Sequence, residues 1–287
     1  MSSTSSTKID RSKDCIGVIY GSGDYSKQVV EACINRKIAC CIVFVSEFVE
    51  KFSSEVPYIH TKIGKIGAAI DFFHQNNVNK IIFAGAVKRP NFKELSLDAK
   101  GTAWLLKLGK SIFAGDDVLL KAVADLLRSE GFEIISGTDF IDDVFVQNRV
   151  LSEKKPTELE WMDIKKGFEV AKTIGSLDIG QSVVVCNGDV LGIECVEGTD
   201  ELIKRCVSLR KQQTGGILVK VSKPQQDQRL DLPTVGLNTI KNLHKHGFSG
   251  IAIESGHCIV IDKENFIKQI NDFSMLFVGT DGKHGGN

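Results

Sequence analysis

Short apolar runs alternate with longer stretches of helical periodicity along nearly the whole chain, and this alternation limits the possible folds more than any other feature. Strands are expected at residues 15–20, 38–45, 56–60, 80–84 and 132–136. Helices are expected between them, at 26–36, 65–75, 102–108 and 116–129. The run at 15–20 reads as a buried strand. The helix candidates carry apolar residues at helical spacing, as with Val29, Val30 and Cys33. Strand–helix alternation of this kind predicts an open, mostly parallel sheet covered by helices, a Rossmann-like α/β domain over residues 14–137.

The pattern changes in the second half. A long amphipathic helix is expected at 158–173. Asn187-Gly188 between two apolar stretches predicts a hairpin over 182–194. Helices are read at 200–212 and 235–246, and strands at 216–221, 250–253, 258–261 and 275–279. This predicts a second α/β domain, residues 138–287, with a mixed sheet, joined to the first near Gly137.

Residues 1–13 are polar and rich in serine and threonine, and are expected to form a disordered tail. They lack the apolar core of a signal peptide. No apolar run approaches the roughly 20 residues needed to span a bilayer. A cytoplasmic protein is expected. Thirty-six basic residues balance thirty-six acidic ones, so no net charge draws the chain to nucleic acid, and no nucleic-acid partner is expected. None of the eight cysteines forms a Cys-x-x-Cys pair, and most sit in apolar runs. They read as buried, reduced thiols. The six histidines show no metal-ligand spacing.

Four segments could carry chemistry. Gly21-Ser22-Gly23-Asp24-Tyr25 follows the first strand, and glycines at such a turn let backbone N–H groups approach a phosphate. Ser26 stands where a dinucleotide fingerprint has its third glycine, and Glu47 is poorly placed for a ribose. A nicotinamide-dependent oxidoreductase is therefore the weaker reading. Gly85-Ala86-Val87-Lys88-Arg89-Pro90 follows the strand at 80–84, where Lys88 and Arg89 could meet a phosphate. Gly115-Asp116-Asp117 reads as a helix start capped by Asp116, and Thr199 as the cap of another.

Residues 220–236 weigh most. This stretch follows one predicted strand and precedes a helix. It gathers Lys220, Lys223, Arg229, Asp227 and Asp231 in a loop stiffened by Pro224 and Pro233. Cleaving a pyrophosphate requires cations to neutralise its oxygens, and carboxylates to hold a metal or orient a water. Asp231 and Asp227 are the candidate metal ligands. Asp231, Arg229 and Lys223 are the candidate catalytic residues. Gly21, Gly23, Arg89, Lys220, Gln226 and Thr234 are the candidate substrate contacts.

The pattern Lys-x-x-Lys-Pro-x-Gln-x-x-Arg-x-Asp-x-Pro-Thr-x-Gly at 220–236 resembles the signature of the LpxI family. The resemblance extends to Gly21 and Gly23, Gly85 with Arg89-Pro90, Gly115-Asp116-Asp117, Leu177-Asp178-Ile179-Gly180-Gln181, Glu197-Gly198-Thr199-Asp200 and Ile253-Glu254-Ser255-Gly256. Ala86 and Lys88 depart from the family pattern, where a polar and a small residue are expected. The resemblance implies two α/β domains with a lipid product held between them. It implies hydrolysis of UDP-2,3-diacylglucosamine to UMP and lipid X in lipid A assembly, dependent on Mg2+ or Mn2+. It implies that Asp231 is essential, as a metal ligand or as the group that positions the water. It further implies a lipid-linked sugar nucleotide as partner, weak peripheral contact with the cytoplasmic face of the inner membrane, and a homodimer. A non-catalytic sugar-nucleotide binding protein is the remaining alternative.

Overall fold

A computed structural model describes residues 15–45 and 56–283. The expected tail, Glu47 and His284 lie outside these residues. The chain divides into two units. One is Met1–Asp142 with Asp227–Asp231; the other is Asp143–Gln226 with Leu232–Asn287.

In the first unit the elements run β1 (Cys15–Tyr20), α1 (Asp24–Asn35), β2 (Cys40–Phe44), β3 (Tyr58–His60), α2 (Ile66–Gln75), β4 (Val78–Ala84), α3 (Ala99–Leu108), α4 (Asp116–Ser129) and β5 (Glu133–Ile134). The strands form one parallel sheet in the order β3-β2-β1-β4-β5. Val29, Val30 and Cys33 of α1 pack on one face with Ile16, Val18 and Ile42. Phe73 of α2, Trp104 of α3 and Leu127 of α4 pack on the other with Cys41 and Ile81. Each large apolar side chain buried in this way contributes about 1.5–3 kcal/mol.

The second unit continues with β6 (Arg149–Val150), α5 (Glu158–Ser176), β7 (Ser182–Cys186), β8 (Asp189–Ile193), α6 (Thr199–Cys206), β9 (Ile217–Lys220), β10 (Thr234–Val235), α7 (Leu237–Lys245), β11 (Gly250–Glu254), β12 (Ile259–Val260), α8 (Lys263–Asp272) and β13 (Leu276–Thr280). Its main sheet has the order β6-β13-β11-β9-β7-β8. β9, β11 and β13 pair in parallel, while the pairs β13–β6, β9–β7 and β7–β8 are antiparallel. The mixed sheet is therefore present. α5 covers one face through Ile164, Phe168 and Ala171. α6, α7 and α8 cover the other through Leu202, Ile240 and Phe266.

Local chemistry explains the clearest elements. Thr157 and Glu160 form a reciprocal capping box at the start of α5. Asn187 and Gly188 both take positive φ, as a tight hairpin turn requires. Buried Asp163 accepts both of their N–H groups, at 2.8 and 2.6 Å.

Several expectations are corrected. Gly115, not Asp116, is the N-cap of α4, and Asp116 is its first residue. Gly198, with φ of 82°, precedes α6, so Thr199 is inside that helix. The helix expected at 200–212 ends at Cys206, continuing as a 3-10 turn to Leu209. The helix expected from Val235 begins at Leu237, because Val235 pairs in β10 with β12. β12 belongs to that two-stranded ribbon and not to the main sheet. α8 and β6 have no counterpart in the sequence reading. No helix among the described residues is long and apolar enough to cross a membrane.

Candidate functional site

In the first unit, the glycine turn after β1 is joined to the loop after β4. Gly21 N donates to Ala84 O at 2.7 Å. Ser22 N donates to Ala86 O at 2.8 Å, and Ala86 N returns a bond to Ser22 O at 2.9 Å. A Cβ on Gly21 would lie 2.6 Å from Ala86 O, so only glycine permits this approach. Ser26 is fully buried, and its hydroxyl donates to Ala84 O at 2.8 Å. The residue that replaces the third fingerprint glycine is thus spent on tying β4 to α1. Gly23 caps α1 with φ of 103°, and open space surrounds its Cβ position.

Arg89 serves the same frame. It donates to Asp116 Oδ1 at 2.9 Å and to the carbonyls of Ile112 and Ala114, both at 2.7 Å. Its guanidinium fixes the entry to α4.

The loop at 220–236 is shared by the two units, with Asp227–Asp231 in the first. Asp227 accepts from Arg229 Nε at 3.0 Å, Nη2 at 2.7 Å and the backbone N at 3.0 Å. This bidentate pairing with Arg229 holds the Asp227 carboxyl below its usual range, and Asp227 in turn raises Arg229. Leu230 and Asp231 both donate backbone N–H groups to Asp227 O, closing one helical turn. That turn aims Leu230 into the apolar cluster of Trp104 and Phe73. Asp231 remains exposed. Burial, then the Asp139 and Asp231 carboxylates, push the Tyr25 phenol well above its ordinary value. Asp231, in the loop after β9, is therefore near the first turn of α1, beside the glycine turn. Burial also raises Asp139. Sequence reasoning singled out neither Tyr25 as a partner of Asp231 nor Asp139.

In the second unit, the remaining candidates gather at the carboxyl end of β9, where ligands of open α/β sheets bind. Lys220 is buried, and its Nζ donates to Thr199 Oγ1 at 3.0 Å. Thr199 donates in turn to Glu194 Oε1 at 2.6 Å. Burial opposes the charge on Glu194. Lys220, the Thr199 hydroxyl and the Gln181 amide outweigh it and hold the carboxyl below its usual range. Lys223 Nζ donates to Asp178 Oδ1. Lys172 pairs with Glu254 at 2.7 Å. Glu254 also accepts from Ser222 N at 2.8 Å, while Lys172 donates to Ser222 O at 2.8 Å. Both backbone groups of Ser222 are therefore held by one ion pair. Gln226 Oε1 accepts from Lys223 N at 3.1 Å, and Thr234 Oγ1 donates to Leu232 O at 3.0 Å. Asp178 Oδ2 and Gln181 Oε1 are buried acceptors with no partner among the described residues, which a ligand donor or a water would satisfy. Lys172, Asp178, Glu194 and Glu254 were not among the expected site residues. Asp178 and Glu254 do lie inside stretches that carry the family resemblance.

The eight cysteines are free thiols. Burial pushes Cys258 up to about 12, so it is a neutral thiol near pH 7. Among the described residues no three His, Cys, Asp or Glu side chains converge on a point that could hold a metal. Magnesium is commonly held by one or two carboxylates plus waters and substrate phosphates. Exposed Asp231 fits that role. Asp227 fits it less well, because Arg229 engages both of its oxygens.

Residues 15–144 match the LpxI N-terminal domain and residues 147–278 the LpxI C-terminal domain. The UDP-2,3-diacylglucosamine pyrophosphatase LpxI of Caulobacter vibrioides is 33% identical over 272 residues, covering 93% of this chain and 97% of that relative. With both domains matched and a relative aligned over nearly its full length, the chain belongs to the LpxI family.

Proposed function

We propose that this protein hydrolyses the pyrophosphate of UDP-2,3-diacylglucosamine, releasing UMP and 2,3-diacylglucosamine 1-phosphate (lipid X) in lipid A biosynthesis. The observation that carries the reading is the near full-length likeness to a relative of that name. The geometry supports it through Asp231, an exposed carboxylate on a turn anchored by buried Leu230.

In this reading the oxygen of water bonds to the phosphorus nearer the sugar, the bridging P–O bond breaks, and UMP leaves. Asp231 meets the attacking water or a magnesium ion. Magnesium, held by Asp231 and the phosphates, would supply neutralisation of the pyrophosphate oxygens. The open turn at Gly23 offers backbone N–H groups to a phosphate oxygen. Within the second unit, Lys223 is held by its ion pair with Asp178. Gly21, Arg89, Lys220, Gln226 and Thr234 hold the framework of the two strand ends in the positions described above.

The test is product analysis with purified protein, magnesium and UDP-2,3-diacylglucosamine in water enriched in oxygen-18. UMP and acylated sugar phosphate are expected in equal amounts, with the label in the sugar phosphate. Label in UMP would move the attack to the other phosphorus. Binding of the sugar nucleotide without release of UMP would make this a binding protein.

A further inference from the structure

Four aromatic rings lie together at the carboxyl end of the first sheet. Tyr20 ends β1, Phe44 ends β2 and His60 ends β3. The parallel register sets Tyr20 beside Phe44 and Phe44 beside His60, so the three form one row across one face of the sheet. Ring centroids are 4.9 Å apart between Tyr20 and Phe44 and 4.7 Å between Phe44 and His60, the second pair within 12° of parallel. Tyr58, two residues before His60 and on the same face, meets Phe44 and His60 edge to face at 5.8 and 5.6 Å.

The row runs from core to surface. Tyr20 and Phe44 are buried, whereas His60 is exposed and Tyr58 is 57% exposed. Cross-strand ring pairs stabilise a sheet, but that role does not require rings in water. β3 is an edge strand, so the face of His60 turned away from Phe44 meets no further strand among the described residues. A planar ring laid on that face would continue the stack.

The position identifies the ligand. Ligands of open α/β sheets bind beyond the carboxyl ends of the strands, near the point where the strand order reverses. That point lies between β1 and β4, at the Gly21–Gly23 turn. Two strand spacings, about 10 Å, separate the ends of β1 and β3. A phosphate on the turn, joined through a sugar to a planar base, spans such a gap. A free phosphate or a sugar phosphate leaves the rings untouched. Aromatic side chains hold bases by face stacking. The Tyr58 hydroxyl and the His60 ring nitrogens add hydrogen-bonding groups for the polar edge of a base.

We infer that His60 and Tyr58 form a nucleobase subsite for a nucleotide whose phosphate lies toward the Gly21–Gly23 turn. The inference rests on the proposed hydrolysis only for the identity of the base, uracil.

Calorimetric titration of the full chain with UMP, and separately with ribose 5-phosphate, tests it. Wild type is expected to bind UMP more tightly than ribose 5-phosphate. Tyr58→Ala/His60→Ala is expected to weaken UMP binding about tenfold or more and to leave ribose 5-phosphate binding unchanged. Tyr58→Phe/His60→Phe keeps both ring faces and is expected to retain most of the UMP affinity. Wild-type UMP affinity in the double alanine variant overturns the proposal, as does failure of wild type to bind UMP. An equal loss of UMP and ribose 5-phosphate binding also overturns it, because the rings would then merely support the turn. A phenylalanine variant as weak as the alanine variant removes stacking as the cause. Wild type that binds UMP through these rings but releases none from UDP-2,3-diacylglucosamine would sink the hydrolase reading and leave the subsite standing.

Discussion

The two units solve the same structural problem with different chemistry. Each must hold loops at the carboxyl ends of parallel strands. The first does so mainly with neutral groups. Gly21 and Ser22 exchange backbone hydrogen bonds with the strand end and loop at 84–86, and the Ser26 hydroxyl joins them. The second does so with charge. Lys220 with Glu194 through Thr199, Lys172 with Glu254, and Lys223 with Asp178 surround the end of β9. A neutral frame tolerates no added atoms and little backbone change. A charged one tolerates little loss, because removing one partner strands the other in a poorly solvated place. The first unit should therefore be sensitive to bulk and the second to charge.

The largest expected effect is on the charged side. Glu254→Ala removes the acceptor of Lys172 and of Ser222 N. It should cost about 3–5 kcal/mol in urea unfolding. Lys172→Met/Glu254→Met should cost less than Glu254→Ala alone, since no charge is stranded. If the double variant is worse, charge pairing is not what holds that strand end.

Next comes bulk in the first unit. A Cβ on Gly85 would run into Ser26 Oγ, and its φ of 81° is unfavourable for any L side chain. Gly85→Ala should cost about 2–3 kcal/mol. Adding Ser26→Ala should recover part of that cost, because it removes the nearer clash and leaves the one with the Ser22 carbonyl at 2.5 Å, whereas Ser26→Ala alone should cost about 1 kcal/mol for the lost hydrogen bond. A Gly85→Ala protein as stable as wild type would erase the distinction between the units.

The smallest effect concerns pH. The Glu194 carboxyl titrates below its unfolded value. Its contribution is therefore present above about pH 4.5 and is lost as pH falls through the lower, folded value. As pH falls from about 5 through the range below about 4.5, Glu194→Gln should show a shallower loss of melting temperature than wild type. An equal slope in both proteins would remove Glu194 as a source of acid sensitivity.

Most of the fold was legible because its signals are local. Apolar runs marked β1, β2, β4, β7, β9, β11 and β13, and Asn187-Gly188 marked the hairpin. α8 was not legible: its sequence, Lys263–Asp272, buries only Phe266 and Ile270, too few apolar positions to stand out beside the adjoining strands. Asp116 and Thr199 looked like caps by residue type. The preceding glycines took the cap positions, leaving Asp116 to Arg89 and Thr199 to Glu194 and Lys220. The site was legible as a list but not as an arrangement. Residues 220–236 carried their chemistry openly. That Asp231 acts on Tyr25, or that Lys220 meets Glu194 across β7 and β9, depends on pairing between segments far apart in sequence, which no local pattern encodes.

In the proposed reaction, cleavage of the pyrophosphate depends on Asp231, set by the Asp227–Arg229 turn and the Leu230 anchor. UMP release from UDP-2,3-diacylglucosamine by wild type and by Asp231→Asn, each with magnesium and then with EDTA, tests it most directly. Wild type should turn over with magnesium and stop with EDTA, while Asp231→Asn, folded to the same melting temperature, should fall by about a thousandfold or more. An Asp231→Asn protein that releases UMP at the wild-type rate would contradict the account.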